Sequence, residues 1–375
     1  MKAGWRTMQF EDCIEKVTYT SKVQRKDFLK DGRYPIVSQE DAFVNGYWNE
    51  QSDLFRLNKP VVVFGDHTKV LKYVDFDFVL GADGVKILAP RDFLVPRYFY
   101  YHLQTANLDS LGYARHYKLL KELEIAFPPE IQQKRIVAVL DEAFDGIATA
   151  KANAEKNLQN APALFESFSD SIFGNGGDNW ISAPIEKHIK FIDYRGKTPE
   201  KTQSGLLLIT AKNVKKGFVQ ENPKEFVAPE SYDSWMTRGI PRKGDVLFTT
   251  EAPLANVAQL DTDEKVVFAQ RIIIMQADRA KLDSTFLKYL LLSRSMQQRI
   301  LNQGTGATVQ GIKASLLKKI EISFPRSIEA QQTIVARLGA LAEQTQRLES
   351  LYQQKLTALA ELKKSLLHEA FSGRL

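Results

Sequence analysis

A long segment that occurs twice constrains this chain more than any other feature. It runs IAFPPEIQQKRIVAVL from Ile125 to Leu140 and returns as ISFPRSIEAQQTIVARL from Ile322 to Leu338. Each copy opens on a short apolar run ending in Phe-Pro. Each then enters a long helical pattern that stops at a Phe with Gly close behind, Phe173-Gly174 and Phe371-Ser372-Gly373. From the glutamine onward the offset is constant, so that Gln133, Ile136, Leu140 and Phe173 match Gln331, Ile334, Leu338 and Phe371. One residue is inserted in the second copy between Phe324 and Gln331. A repeat of this length sets the architecture before any local motif is weighed.

The text before each copy is alike only in outline. In the first stretch, Val61–Phe64, Val70–Val74, Phe78–Leu80 and Val85–Leu88 read as strands, and GRYPIVSQ with Asn45-Gly46-Tyr47 reads as turns around short extended pieces. Pro96 starts an aromatic helix with Tyr98, Tyr101 and His102 along one face, and the basic loop GYARHYK precedes a strand Glu124–Phe127. The glycine-rich linker Gly174–Gly177 is the clearest boundary, and Trp180 opens the second stretch much as Trp5 opens the first. There, strands are expected at Leu206–Thr210, Lys243–Phe248, Val266–Ala269, Arg271–Met275 and Ile320–Phe324. The helix STFLKYLLLS places Phe286, Tyr289 and Leu291 opposite Tyr98, Tyr101 and Leu103, and GTGATVQG replaces the GYARHYK loop. The chain therefore divides into a globule (1–127), a helical arm with linker (128–177), a second globule (178–324) and a second arm (325–375). Both globules are mixed α+β.

Each arm carries an apolar seam at steps of three or four residues, the spacing of one helix face turned to a partner helix. In the first arm the seam comprises Ile136, Leu140, Ile147, Leu158, Phe165 and Phe168. In the second it comprises Ile334, Leu338, Leu341, Leu348, Leu359, Leu362 and Leu366. About 45 helical residues would extend ~65 Å, too long to serve only as a domain cover. Gly146 and Pro162 interrupt the first arm. Proline removes a backbone donor, so a kink or restart is expected at Pro162, with Asn160 as its cap. Two similar arms in one chain are expected to pair about a pseudo-twofold axis, antiparallel or parallel.

The chemistry of common enzymes is missing from the sequence. Gly196-Lys197-Thr198 resembles the tail of a phosphate-binding loop, but the glycine needed upstream is Phe191. GTGATVQG lacks the order of a dinucleotide fingerprint, and Asp141-Glu142 lies on the arm, where a solvated helix face is expected. Five histidines are scattered, and Cys13 is the single cysteine, so no zinc spacing and no internal disulfide arises. A reducing, cytoplasmic setting fits, with no apolar run of about 18–20 residues for a membrane span and no secretory leader pattern. By this reading the chain is non-catalytic by itself, with no metal or cofactor of its own.

A formal net charge of +6 permits a polyanionic partner. Basic, amide and hydroxyl groups gather in expected loops of both globules. They are Lys22, Gln24, Arg25, Lys26, Gln39, Arg115, His116 and Tyr117 in the first. In the second they are Tyr194, Arg195, Lys197, Thr198, Lys212, Asn213, Lys215, Lys216, Thr308 and Gln310. Arg and Lys suit guanine edges and phosphates, and Asn and Gln suit adenine. Ordinary solvated charge is the competing interpretation. The placement of these residues in long loops beside matching strands favours DNA.

With the duplicated FPPEIQQKRIVAVL and FPRSIEAQQTIVARL segments, the ending HEAFSGRL, and the texts KVQRKDFLKDGRYPIVSQ and DYRGKTP, the chain resembles the specificity (S) subunits of type I restriction–modification systems over essentially its whole length. The resemblance implies two target recognition domains, each reading half of a split, asymmetric DNA site, and arms paired as an antiparallel coiled coil that spaces the half-sites. It further implies two modification (M) subunits methylating adenine with S-adenosylmethionine, and restriction (R) subunits that hydrolyse ATP with magnesium and cleave. SIFGNGG replaces the family's AFSG text at the end of the first arm. A stand-alone DNA-binding protein and a protein-binding scaffold are the competing functions.

Overall fold

The structure is a computed structural model that describes residues 4–106, 108, 114–194, 198–269, 271–306 and 310–375, apart from the side chain of Asn175. By contacts the chain forms two compact units, Met1–Glu155 with Gln353–Leu375, and Lys156–Tyr352. Each long helix therefore contributes to both units.

In the first unit the chain start pairs with the strand leading into the arm, Arg6–Gln9 against Glu124–Phe127, antiparallel with Arg6 opposite Phe127. A four-stranded sheet follows in the order Ile14–Glu15, Val85–Pro90, Val61–Gly65, Leu71–Val74. A second sheet runs Lys22–Val23, Phe78–Gly81, Tyr34–Val37, Gly46–Trp48. The strand Val61–Gly65 explains why the sheets stack. All five residues are buried, and side chains alternate between faces. Val62 and Phe64 enter a core shared with the helix Pro96–Gln104 and the arm. Val61 and Val63 enter a core with Val37, Phe78 and Leu80 of the second sheet. The sheet is thus a middle layer between the arm side and the loop-bearing side.

The second unit repeats this plan. Trp180–Pro184 pairs with Glu321–Pro325. The middle sheet runs Ile189–Asp193, Ile272–Ala277, Val246–Thr249, Val257–Gln259, and the outer one Phe226–Val227, Leu206–Ile209, Val267–Phe268. Val246 and Phe248 join the core of helix Ser284–Leu292, while Leu247 joins the outer one. The parallel pairing of Leu206–Ile209 with Val267–Phe268 mirrors that of Tyr34–Val37 with Phe78–Gly81.

The arm helices span Glu130–Asn175 and Ile328–Phe371. The first continues through both Gly146 and Pro162, so the restart expected at Pro162 with an Asn160 cap does not occur. Pro162 lies on the exposed side, where solvent can hydrate the carbonyl that it cannot serve. Within each unit the two helix segments run antiparallel. In the first, Lys363 lies over the Phe144 ring at 4.9 Å, and Ile136 and Leu140 share a core with Leu367 and Ala370. In the second, Arg337 lies over Phe168 at 5.2 Å, and Phe173 packs on the core that takes Ile334 and Val335.

The seam residues Ile136, Leu140 and Leu338 are buried, and Ile147, Leu158, Phe165, Phe168, Ile334, Leu341, Leu348, Leu359 and Leu366 are partly so. Leu362 departs from the expected seam and is 47% exposed. The packed stripe passes one residue further on, through Lys363 over Phe144 to Leu367 and Ala370. One residue is a rotation of about 100° on a helix. Asp141 likewise does not belong to a purely solvated face, because it pairs with Arg97 at 3.1 Å.

Candidate nucleic-acid interface

The parallel strands Tyr34–Val37 and Phe78–Gly81 point the same way, so the loops that follow them leave from one edge of the outer sheet. The middle strand Val61–Gly65 delivers a third loop to the same place. Asp66 joins them. Its N–H donates to the Gly84 carbonyl at 2.7 Å, its carbonyl accepts from the N–H of His116 at 2.7 Å, and its Oδ1 accepts from the N–H of Tyr117 at 2.7 Å. Gln39 ties in the loop after Tyr34–Val37, its Oε1 accepting from His67 N–H at 3.2 Å and its carbonyl from the Thr68 hydroxyl at 2.6 Å. This approach is close enough to require glycine at 65, where a Cβ would stand 2.2 Å from Thr68 Oγ1.

The second unit closes the corresponding edge with the same backbone bonds. Thr250 takes the place of Asp66, its N–H donating to the Arg271 carbonyl at 2.9 Å and its carbonyl accepting from Ile312 N–H at 2.9 Å. The frame is retained and the side chains differ: Asp66, Gly84 and His116 in one unit, Thr250, Arg271 and Ile312 in the other. Arg271 adopts φ of 76° where the first unit has Gly84 at 79°. That left-handed conformation costs a non-glycine residue about 1–2 kcal/mol. Its guanidinium pairs with Glu251 at 3.0 Å with both side chains nearly half exposed. Beside it opens a cleft of about 230 Å³ whose lining includes Thr198, Lys201, Thr210, Lys212 and Arg271. Arg271 is therefore a loop residue and not the first residue of the expected strand, which begins at Ile272.

Several sequence-derived candidates converge on these edges. Lys22 donates to the Val85 carbonyl at 3.2 Å, and its ammonium is held below the usual lysine range by burial and then by Lys86. Gln24, Arg25 and Lys26 sit at the short turn just after Lys22–Val23, with Arg25 3.1 Å from Glu40. Gln39, Arg115 and Tyr117 adjoin the Asp66 staple, with Arg115 exposed. Thr198 and Lys212 line the cleft, and Gln310 precedes Gly311, which bridges to Glu251. Lys215 and Lys216 instead occupy the turn between Val214 and Val219. Arg195, Lys197 and Thr308 lie outside the described residues.

Three candidates are corrected. His116 is 1% exposed and donates its N–H to Asp66, Asn213 is 3% exposed, and Tyr194 is 3% exposed with its hydroxyl donating to the Gly239 carbonyl at 2.8 Å. Asn213 Nδ2 donates to the carbonyls of Gln220 and Pro223, and its Oδ1 accepts from Thr210. Their polar groups shape loops from inside. Sequence reasoning missed Asp66, Lys201, Glu251 and Arg271. Superposing VVVFG on VLFT in the two repeats would have exposed Asp66 and Thr250 as the residues next in line, with Glu251 one position beyond.

No cluster of metal-ligating side chains occurs among the described residues. Cys13 is buried, and its thiol is pushed up to about 11 by that burial, which makes it a poor nucleophile.

Residues 2–159 and 233–358 match the profile of the type I restriction modification DNA specificity domain. The chain belongs to this family. It is 25% identical over 345 residues to the type I restriction enzyme EcoR124I/EcoR124II specificity subunit of Escherichia coli, covering 84% of this chain and 80% of that one. It is 22% identical over 280 residues to the MjaVIII specificity subunit of Methanocaldococcus jannaschii, covering 69% and 63%. In fold it is similar to a chain from a structural study of complex assembly and conformational transition of the type I R-M system. The TM-score is 0.75 at 16% identity, over 100% of this chain and 99% of that one. It is also similar to the HsdS subunit from Thermoanaerobacter tengcongensis, with a TM-score of 0.61 at 15% identity over 100% and 98%. As a DNA specificity subunit the chain belongs to a non-catalytic family. Family membership sets aside the stand-alone binder and the protein scaffold. Among the described residues no helix is long and apolar enough to cross a membrane.

Proposed function

We propose that each unit reads one half of a bipartite DNA site through its stapled loop edge, and that the paired arms set the spacer and dock two M subunits. The observation that carries this reading is the repeated backbone frame around Asp66 and Thr250 with different side chains on it. One frame with two chemistries is what two half-sites of different sequence require. In the second unit Arg271, Lys212 and Thr198 face the duplex. An arginine held by its backbone and aligned by Glu251 suits the paired acceptors of guanine. In the first unit Lys22, Arg25 and Arg115 play this part.

The M subunits bring S-adenosylmethionine and methylate adenine, which must leave the base stack to be reached. R subunits join through the M complex and bring ATP and magnesium. The chain itself holds no cofactor and works in the cytoplasm, where its DNA is.

The test is sequencing of methylated adenines after co-expression of the chain with its M partner. A bipartite motif is expected. Arg271→Ala is expected to lower discrimination at one half-site by about 1–3 kcal/mol and leave the other unchanged, while Arg115→Ala acts on the other half. Methylation without a split motif, or equal loss at both half-sites from Arg271→Ala, overturns the reading. Binding should also weaken steeply with salt, because phosphate contacts release counterions.

A further inference from the structure

Gln133 and Gln331 are both fully buried, one in the first helical turns of each arm. Each makes the same three hydrogen bonds. Gln133 Oε1 accepts from Val95 N–H at 2.8 Å, and its amide donates to the carbonyls of Phe93 at 2.8 Å and Pro128 at 2.9 Å. Gln331 Oε1 accepts from Asp283 N–H at 2.8 Å, and its amide donates to Lys281 at 2.9 Å and Pro325 at 2.8 Å. Both donor hydrogens are used, which only a carboxamide of this length supplies together with an acceptor. The residue inserted between Phe324 and Gln331 leaves all three bonds intact. The bonding pattern is therefore retained more strictly than the spacing along the chain.

The partners explain what this clamp connects. Pro325 is the last residue of the strand that enters its arm, and Pro128 follows directly on the strand Glu124–Phe127. Val95 and Asp283 are the residues from which the helices Pro96–Gln104 and Ser284–Leu292 start, and Asp283 also caps its helix through Thr285 and Phe286 N–H at 2.8 Å each. Those helices pack on the middle strands, Tyr98 and Phe99 with Val62 and Phe64, and Phe286 and Leu287 with Val246 and Phe248. The middle strands lead directly into Asp66 and Thr250, which staple the reading loops. Within each unit, one buried side chain of the arm thus bonds directly to the backbone that starts the helix packed on the loop-bearing layer.

We propose that Gln133 and Gln331 are positioning residues that fix the angle of each reading edge to its own arm, and so restrict the spacer length that the complex accepts. This rests on the function proposed above. The experiment uses the full chain with its M partner on duplexes that carry both half-sites at varied spacer lengths, with adenine methylation read by sequencing. Two variants are compared. Gln331→Leu leaves three buried backbone groups without partners, and Gln331→Glu keeps the acceptor for Asp283 while losing both donations.

The expected result is unchanged half-site sequences with a broadened spacer profile. The ratio of methylation at the best spacer to that at one base pair longer should fall by about tenfold for Gln331→Leu, the scale of one unsatisfied buried bond, and by less for Gln331→Glu. A merely structural role lowers methylation at every spacer in the same proportion, and that outcome, or an unchanged ratio, overturns the proposal. Should Gln331→Leu fail to fold, Gln331→Glu and Gln133→Glu carry the same test. A wild-type complex with no spacer preference overturns the bipartite reading itself. A sharp wild-type preference that the variants retain overturns only the clamp.

Discussion

In the first unit the helix Pro96–Gln104 meets its arm through charge. Arg97 Nε lies 3.1 Å from Asp141 Oδ1, the Tyr101 hydroxyl donates to the same carboxylate, and the guanidinium sits 4.6 Å from the Tyr73 ring centroid. His102 lies partly buried in the same junction, with Nε2 accepting from Ala126 N–H at 3.2 Å. In the second unit Thr285 and Tyr289 stand where Arg97 and Tyr101 do, but the acid and the imidazole are gone. Gly339 stands where Asp141 does, Leu290 where His102 does, and Phe286 packs edge-on against Phe173 and Trp180. The edge-on ring pair recurs in the first unit as Tyr98 against Phe371, and the glutamine clamp is shared bond for bond. On the proposed function, a clamp common to both joints would let a reading unit diverge without disturbing the arm that sets the spacer.

The largest effect should come from the apolar junction. Phe286 is fully buried, so Phe286→Ala is expected to cost about 3–5 kcal/mol, measured by urea unfolding. Tyr98→Phe, at the matching place, removes only the hydroxyl that donates to the Ala126 carbonyl at 2.8 Å and should cost about 1–3 kcal/mol. Equal costs would break the contrast between the two junctions.

The polar junction should reveal itself through pH. Burial pushes His102 down to about 4. The unfolded imidazole takes a proton below about pH 6.5, whereas the folded one does so only near 4. Its contribution is thus complete above pH 6.5 and is lost as pH falls from there toward 4, on the order of 3 kcal/mol. His102→Leu, copying Leu290, should remove that part of the slope. The check is the difference between wild-type and variant unfolding curves across this window, since the carboxylates titrate in both.

Much of this architecture was legible in the sequence. Val61–Gly65 and Val246–Thr249 are apolar at nearly every position, as strands buried on both faces must be, and the Phe-Pro repeats mark the entry to each arm. Leu362 was misplaced because a three-or-four spacing does not say which neighbour occupies the stripe, and Lys363 reads as polar although its ammonium covers Phe144. Pro162 suggested a restart because propensity ignores the packing of Ala154 and Ala161, buried on the same helix. The loop edges were the least legible. His116 and Asn213 looked like base readers by type, yet which polar groups turn inward is settled by tertiary bonds to Asp66 and Thr210. Arg271 was absorbed into a strand because nothing local marks its left-handed backbone.

A smaller effect separates the arms at Asp141. Its pair with Arg97 is more than a third exposed, so solvent screening limits it. Asp141→Ala should cost about 1–2 kcal/mol, most of it from the Tyr101 and Arg97 bonds left unmade. A double-mutant cycle with Arg97→Leu measures the coupling, and a value near zero would mean that the charged junction is held by the Tyr73 stack alone.

The smallest effect runs the other way. At Gly339 an added Cβ would meet only the Tyr289 hydroxyl oxygen, at 4.0 Å, and at Gly146 it would meet nothing within 4 Å. Both glycines lie inside long helices, where alanine is favoured by up to about 1 kcal/mol. Gly339→Ala and Gly146→Ala should therefore each raise stability by about 0.5–1 kcal/mol, read as a rise in the unfolding midpoint at unchanged slope. If Gly339→Ala destabilises instead, the Tyr289 hydroxyl needs the space that Asp141 fills in the first unit, and the two junctions are less independent of their arms than the shared clamp implies.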